Sequence, residues 1–480
     1  MLQNVDKREN VNWRKAVRKA VWFACAMGCC ATIGPVGAAG QAAGSSAAGG
    51  APAAPVTITL EEAIRRAEAS DGVYAAASAN SRSATLDRVI ARAGMLPNAH
   101  VLNQDIYTQP NGIMNEGDAG QTLAPLPRFV ANDSRPDEYY AQGIVDEALS
   151  LAGPAAVRRA DAAAAQAAAE LEIARRGLVA GVTVLFYSSL AADSKVTTAR
   201  QALGEANNFS KITQEREQAR EAAHADVVKA QLGQQQRERD LEDAQAAAER
   251  ARLELGVLLF PDPRTPYTLS APPAPPALAS REDVEAAAAK NNPQLKSALE
   301  AVKVSDADVM TARAAYLPNL LLNVTYGIDA NQFAVNGPLL TTGPFAGTRA
   351  RNLGYSTSVT VNLPVWDWLS TEHKVKQSEI RRQAAKVALT ATQRQLIARL
   401  DEDYTEAQTA RDQLASLEQS VATAAESLRL TRAAYTGGES TVLAVVDAEN
   451  AYVLAEDARA DGQVRYQAAM AQLQTLTGTM

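Results

Sequence analysis

An internal repeat limits how this chain can fold more than any other feature of it. Ala91-Arg92-Ala93-Gly94-Met95-Leu96-Pro97-Asn98 returns 221 positions later as Ala312-Arg313-Ala314-Ala315-Tyr316-Leu317-Pro318-Asn319, with six of eight residues identical. The same offset lays Glu61-Glu62 over Glu282-Asp283 without a gap, which predicts one helix recurring ahead of each Leu-Pro-Asn element. Proline lacks the amide donor and restricts the residue before it, so a helix must stop at Pro97 and again at Pro318. Leu96, Pro97, Leu317 and Pro318 are therefore read as helix-to-strand junctions, after which each half turns extended.

The extended part is plainest in the second half. Leu320, Leu322, Val324, Tyr326 and Ile328 alternate with Leu321, Asn323, Thr325, Gly327 and Asp329, and the run from Leu353 to Val365 alternates with Gly354, Ser356, Ser358, Thr360, Asn362 and Pro364. One apolar face and one polar face over roughly ten residues is the pattern of a transmembrane barrel strand, although a half-buried strand of a soluble sandwich shares it. The small hydrophilic residues of the second face favour the barrel, because a water-filled lumen needs them. Matching strands in the first half are fainter, at 99–108 and 137–151. Loops rich in Pro, Gly and Asn separate the strands of each pair, the second at 331–351, and suit surface loops on one side of a membrane.

After each strand pair comes a helical stretch of unusual length, 154–219 and 370–436. About 65 residues at 1.5 Å each make a rod of roughly 100 Å, for which a soluble globule has no use. Leu414, Leu417, Val421, Ala424 and Leu428 keep a 3-4-3-4 spacing, the seam of a helix packed on helices. Returning helices at 222–259 and 441–477 complete two antiparallel hairpins, and a Pro-rich segment from Pro261 to Pro276 joins the halves. Aromatic residues make up only 5% of the chain, too few large side chains for several ordinary cores and consistent with close-packed helices.

The first 40 residues stand apart. Arg14, Lys15, Arg18 and Lys19 precede an apolar run from Ala20 to Ile33 and small residues around Gly37 and Ala38, the layout of a secretory signal peptide. All three cysteines, Cys25, Cys29 and Cys30, lie in that run, so cleavage near residue 38 leaves no thiol for disulfides or metal. Lipid attachment at Cys29 is the alternative, against which Ala26 and Met27 make a poor box. No downstream run offers about 20 consecutive apolar residues. Removing residues 1–38 takes six of 47 Lys/Arg and two of 54 Asp/Glu, leaving a formal charge of -11 that does not favour nucleic acid. The chain thus divides into a signal peptide (1–38), a flexible Ala/Gly/Pro-rich lead-in (39–56), a first repeat (57–260), a Pro-rich linker (261–279) and a second repeat (280–480).

Four strands cannot close a membrane barrel, because an open edge would leave backbone groups unpaired in lipid and the smallest closed barrels need about eight strands. The chain must therefore oligomerise. The fold class that follows is mainly α with a membrane β-barrel portion, in two structural repeats.

A strand pair, a long helical hairpin, a Pro-rich join and the same unit again resemble the TolC family of outer-membrane efflux proteins across the mature chain. The segment from Tyr435 to Ala448 is similar to the family's aromatic-x-x-Gly-x-x-(Ser/Thr)-apolar-x-Asp-Val-x-Asp-Ala tip, and the paired Leu-Pro-Asn helix ends and Leu476-Thr477-Gly478 are further points of likeness. The resemblance implies a homotrimeric duct, with twelve strands in outer-membrane lipid and twelve helices crossing the periplasm. It also implies docking onto a periplasmic adaptor and an inner-membrane pump that supplies the energy. Gly437, Gly438, Glu439 and Ser440 are then the adaptor-docking tip. Asp447, nine residues past Gly438, becomes a threefold gate of carboxylates favouring cations, unless it is a solvated residue on the tunnel exterior. Ala444 stands where fuller gates carry an aspartate, and Asp226 takes the matching place in the first-half tip, which lacks the glycine.

No Walker loop, His-Glu-x-x-His, nucleophile elbow or dinucleotide fingerprint is present, and nothing calls for a cofactor or metal. His100, His224 and His373 are far apart, and the acidic run Asp401-Glu402-Asp403 reads as a solvated helix face. The reading is of a passive duct and not an enzyme. A periplasmic adaptor or other secreted coiled-coil protein is the alternative; it accounts for the rods but not for the strand pairs.

Overall fold

The computed structural model describes residues 56–107, 137–271, 277–330 and 332–478. The expected signal peptide, nearly all of the lead-in and the first-half loop lie outside the described residues. In chain order the elements of the first half are β1 (Val56–Ile58), α1 (Leu60–Ser70), α2 (Gly72–Ala93), β2 (Asn98–Tyr107), β3 (Asp137–Leu149), α3 (Ala152–Gln218) and α4 (His224–Leu259). Those of the second are β4 (Tyr267–Leu269), α5 (Arg281–Asn291), α6 (Pro293–Ala314), β5 (Asn319–Ala330), β6 (Asn336–Leu339), β7 (Arg349–Arg351), β8 (Leu353–Asn362), α7 (Ser370–Thr436) and α8 (Val442–Thr477).

The repeat extends to the helix caps. Thr59 and Ser280, 221 apart, each accept a backbone amide three residues on, from Glu62 and Asp283. The helix expected ahead of each Leu-Pro-Asn element is in fact two helices. Asp71 and Asn292, again 221 apart, sit in extended backbone and cap α2 and α6 by accepting the amides of Tyr74 at 2.6 Å and Leu295 at 2.9 Å. Each such cap stabilises its helix by about 1 kcal/mol, and in the second half Pro293, directly after the cap, also keeps the two short helices from fusing. Behind the strands the offset becomes 218, since α3 and α7 are both 67 residues long and α4 and α8 both 36.

At the junctions the amides of Leu96 and Leu317 each close a last tight turn on Ala93 and Ala314, and Asn98 and Asn319 open the strands one residue after the prolines. Strands β2, β3, β5 and β8 form one antiparallel sheet in that order. Its register puts Val101, Val145, Val324, Tyr326, Tyr355, Val359 and Val361 on one face. The other carries His100, Gln142, Asn323, Thr325, Ser356, Ser358 and Thr360. Glu147 and Asp105 interrupt the apolar face in the first half, and Leu102 and Ile144 the polar one, which is why that half's alternation was faint. The last ladder partner of β8 is Asn362, short of the alternation expected through Val365, because it pairs with Asn319, where β5 begins directly after Pro318.

Each strand continues into a helix, and the helices keep the strand order: α2, α3, α6 and α7 form a row beneath β2, β3, β5 and β8. Lower down, the return helices replace the short ones, giving the row α4, α3, α8, α7. By length and composition alone α3 could cross a membrane, but it packs along its length between neighbouring helices. On α7 the expected seam is real: Leu414, Leu417, Val421 and Ala424 are half-buried and Leu428 buried, amid exposed residues.

Where the rows meet lie two cores that are copies of each other. One holds Ala63, Ala67, Val182, Phe186 and Leu255; the other holds Val284, Ala288, Leu400 and Leu473 at the corresponding places, with Tyr404 packed against it. The Pro-rich join is more than a connection, since β4 pairs in parallel with β1 and the Tyr267 hydroxyl donates to the carbonyl of Arg252 at 2.7 Å. Val56, placed at the end of the lead-in, already belongs to that ladder. Burial drives the Tyr267 phenol up to about 12.

Candidate functional site at the hairpin tips

The site begins with how each long helix turns back. At the end of α7 the amide of Glu439 closes on the carbonyl of Ala434 at 2.8 Å, and that of Gly438 on Tyr435 at 3.0 Å. This is the Schellman arrangement, and it needs a left-handed residue in the middle. Gly438 supplies it with φ 79°. Gly437 is an ordinary right-handed cap at φ -73°, so only one of the two expected turn glycines is required by the backbone. Ser440 is half-buried, and the neighbouring Thr441, not singled out from the sequence, caps α8 by accepting the amide of Ala444.

The first-half tip has the same turn without the glycine. Glu221 closes on Arg216 and Arg220 on Glu217, both at 2.8 Å, and Arg220 takes the left-handed place at φ 64°. A side chain there costs roughly 1–2 kcal/mol that glycine avoids. Arg220→Gly should therefore raise stability by about 1 kcal/mol, and Gly438→Val should lower it by about 1–3 kcal/mol, compared by denaturant unfolding of the purified protein. Equal stability of Arg220→Gly and the parent would mean that the Arg220 side chain has a compensating contact.

Above the turns the two hairpins are tied together. The Arg432 guanidinium bonds Glu205 of α3 at 2.5 Å and Glu449 of α8 at 2.7 Å, with Glu449 only 8% exposed. Burial disfavours the Arg432 charge, yet its bonds to Glu205 and Glu449 hold it above the ordinary arginine value. Arg216 donates to the Tyr435 carbonyl at 2.9 Å and lies over the Tyr435 ring, against which Phe209 packs at 5.0 Å. With Val442 and Val445 these rings form the core of the tip. Arg237 of α4 reaches Asn450 of α8 at 2.5 Å. Higher up, between α3, α4 and α8, opens a cavity of about 780 Å³ lined by Lys195, Arg237, Asp240, Asp457 and Asp461. Burial raises the Asp457 carboxyl against the pull of Lys195.

Asp447 is exposed on α8 and Asp226 half-exposed in the first turn of α4; among the described residues neither is ion-paired. The 218 offset places Asp226 opposite Ala444 and puts Lys229, also exposed, in the place that Asp447 holds. The sequence reading missed Lys229 because it compared acidic positions only. Arg432, Glu205, Arg216 and Phe209 also went unseen: partners more than 200 residues apart leave no local spacing to detect.

The histidines are not brought together, and among the described residues no group of three His, Cys, Asp or Glu could hold a metal. His100 lies 3.3 Å from Asp146 on the polar sheet face, and His224 lies 2.7 Å from Glu217 at the tip. In the acidic run, Asp401 pairs with Arg281, while burial and then Glu402 push the half-buried Asp403 carboxyl up.

Residues 285–479 match the family model described as outer membrane efflux protein. The match spans 195 of the chain's 480 residues, all of them in the second half. The tip segment from Tyr435 to Ala448, on which the resemblance rested, lies inside the match. Among individual relatives, Protein CyaE of Bordetella pertussis is 27% identical over 243 residues. That alignment takes in 49% of this chain and 48% of the relative, so the chain spans about half the length of the curated protein it matches. The likeness to solved structures is wider. The CmeC outer membrane channel of Campylobacter jejuni superposes with a TM-score of 0.69 over 87% of this chain and 85% of its own, at 14% identity. The outer membrane protein VceC of Vibrio cholerae gives 0.69 over 87% and 96%, at 17% identity. Both halves therefore share the fold of these outer membrane proteins: mainly helical, with long antiparallel helices and strand pairs.

Proposed function

We propose that the chain is one subunit of an outer-membrane exit duct, a passive channel of an efflux or type I secretion system and not a catalyst. One observation carries this reading: a sheet with an apolar and a polar face, open at both edges, continues strand for strand into a row of helices. Such a sheet cannot stand alone in lipid, since β2 and β8 each have one partner and leave a row of backbone groups unpaired. The helical rows have the same need. Their exposed large apolar residues concentrate on the edge helices: Leu86, Val89 and Ile90 on α2, Val228 and Leu232 on α4, Ile380, Val387 and Ile397 on α7. Edge joining edge around a threefold axis closes twelve strands and encloses a tunnel.

In this reading the apolar sheet face meets outer-membrane lipid, the helices extend into the periplasm, and the tips of both hairpins meet a periplasmic adaptor and, through it, an inner-membrane pump. Gly438 and its neighbours Gly437, Glu439 and Ser440 form the docking turn. Cell fractionation tests the whole: heat-resistant trimers in the outer-membrane fraction are expected, and a soluble or inner-membrane protein would reject it.

The gate is the second part of the proposal. Threefold symmetry repeats Asp447 around the tunnel axis, with Asp226 on the adjoining hairpin and Lys229 in the equivalent position of the first half. Carboxylates in a constriction favour cations, and ammonium groups at the same level oppose them. In planar bilayers Asp447→Asn is expected to reduce cation selectivity severalfold, Asp447→Asn with Asp226→Asn to reduce it further, and Lys229→Gln to raise it. Unchanged selectivity in all three would put these side chains on the outside of the tunnel.

A further inference from the structure

On the side of the sheet away from the long helices, the β5–β8 connection is folded. Strands β6 and β7 pair as a small hairpin. Asn352 ties it down, its amide bonding Val335 and its side chain donating to the Ala334 carbonyl at 2.8 Å. A Cβ at Gly337 would stand 2.7 Å from Asn352 Oδ1, so the two sides of the hairpin are in close contact. Its surface combines two chemistries. Phe333, Val335, Leu339 and Phe345 are all more than half exposed. Arg349 and Arg351 are exposed two residues apart on β7, hence on one face, and among the described residues the side chain of neither is hydrogen-bonded or ion-paired. From 332 to 352 the sequence contains no Asp or Glu.

Position says what such a surface would meet. A strand of ten residues, as in β8, rises about 33 Å along its axis and about 25 Å when tilted as barrel strands are, which is the height of the apolar band of an outer-membrane barrel. The hairpin starts directly where β5 and β8 end, and so stands at headgroup level, not far out in water. We propose that it lies on the outer leaflet, Arg349 and Arg351 binding phosphate groups of anionic lipid headgroups while Phe333 and Phe345 enter the acyl boundary. Guanidinium forks suit phosphate oxygens, and exposed aromatic rings beside them suit the polar-apolar boundary. The proposal rests on the barrel reading given above.

The test uses the full-length protein purified in neutral detergent, with lipids retained by the intact assembly counted by native mass spectrometry. The probes are a doubly phosphorylated disaccharide lipid, a phosphocholine lipid and inorganic phosphate. The wild type should prefer the phosphorylated lipid, and Arg349→Gln with Arg351→Gln should weaken that binding by about fivefold per arginine while leaving phosphocholine lipid unaffected. Phe345→Ser should weaken binding of both lipids. Inorganic phosphate should not compete below the lipid's own concentration. Equal binding by the wild type and the arginine variant, or equal binding of the two lipids, would overturn the proposal, as would full displacement by inorganic phosphate. Insertion of the same wild-type sample into planar bilayers separates the two readings. A sample that forms no channels removes the barrel, whereas channels without arginine-dependent lipid preference remove only the hairpin's role.

Discussion

Arginine at Val324 or Val359 is expected to cost the assembled protein about 2–4 kcal/mol near the middle of the membrane, and arginine at Thr325 or Ser358 much less. The ladder sets the contrast, because Val359 stands opposite Leu322 and Ser358 opposite Asn323, on opposite faces of the same two strands. In the proposed barrel a guanidinium on the first face would have to leave water for lipid, whereas one on the second would face the enclosed aqueous space. The measurement is the fraction of heat-resistant trimer in membranes for the four variants. Equal tolerance at all four positions would show that the apolar face packs on protein and not on lipid.

Loss of Arg432 should be nearly as damaging. Arg432→Met keeps the bulk of the stem but leaves the buried Glu449 carboxylate with no counter-charge and releases Glu205, which lies on the other hairpin. Breaking a buried ion pair from one side costs about 3–5 kcal/mol, and the partial exposure of Arg432 brings the expectation down to about 2–3 kcal/mol. Adding Glu449→Gln should recover more than half of that loss, since an amide can be left without a cation at far lower cost. Denaturant unfolding of the single and double variants decides it. If Glu449→Gln instead adds its own full loss, the two residues are not coupled. The same substitution should loosen the tip, and its conductance in planar bilayers should exceed that of the parent.

The fold was legible where its causes are local. Leu-Pro-Asn ends a helix by the chemistry of proline, alternation declares a strand of two unlike faces, and the rods end within two residues of where the pattern stops. What escaped depended on less obvious partners. Asp71 breaks the first helix through one side-chain bond, in a window whose apolar spacing runs on through it, and Asn292 does so with the help of Pro293, which removes an amide and keeps the residue before it out of the helical region. Tyr267–Leu269 is a strand only because Val56–Ile58 lies beside it. The candidate site divides in the same way: the turn at Gly438 could be read from the glycine, but its twin at Arg220 could not, since arginine gives no sign of a left-handed backbone. The brace around Arg432 joins α3, α7 and α8, and no spacing along a single helix announces it.

Because both descending rods have 67 residues and both returning ones 36, the two bends in each subunit come level, and six of them in a closed assembly would share one plane like the sawn end of a pipe. A mating part can seal against such an end with a flat rim. Seven residues added to one rod alone would leave a step of about 10 Å and a gap beneath it, while the same addition to both would simply move the plane. Length in this architecture can therefore change only in matched pairs, which is reason enough for two halves with so few identical residues to have kept the same count.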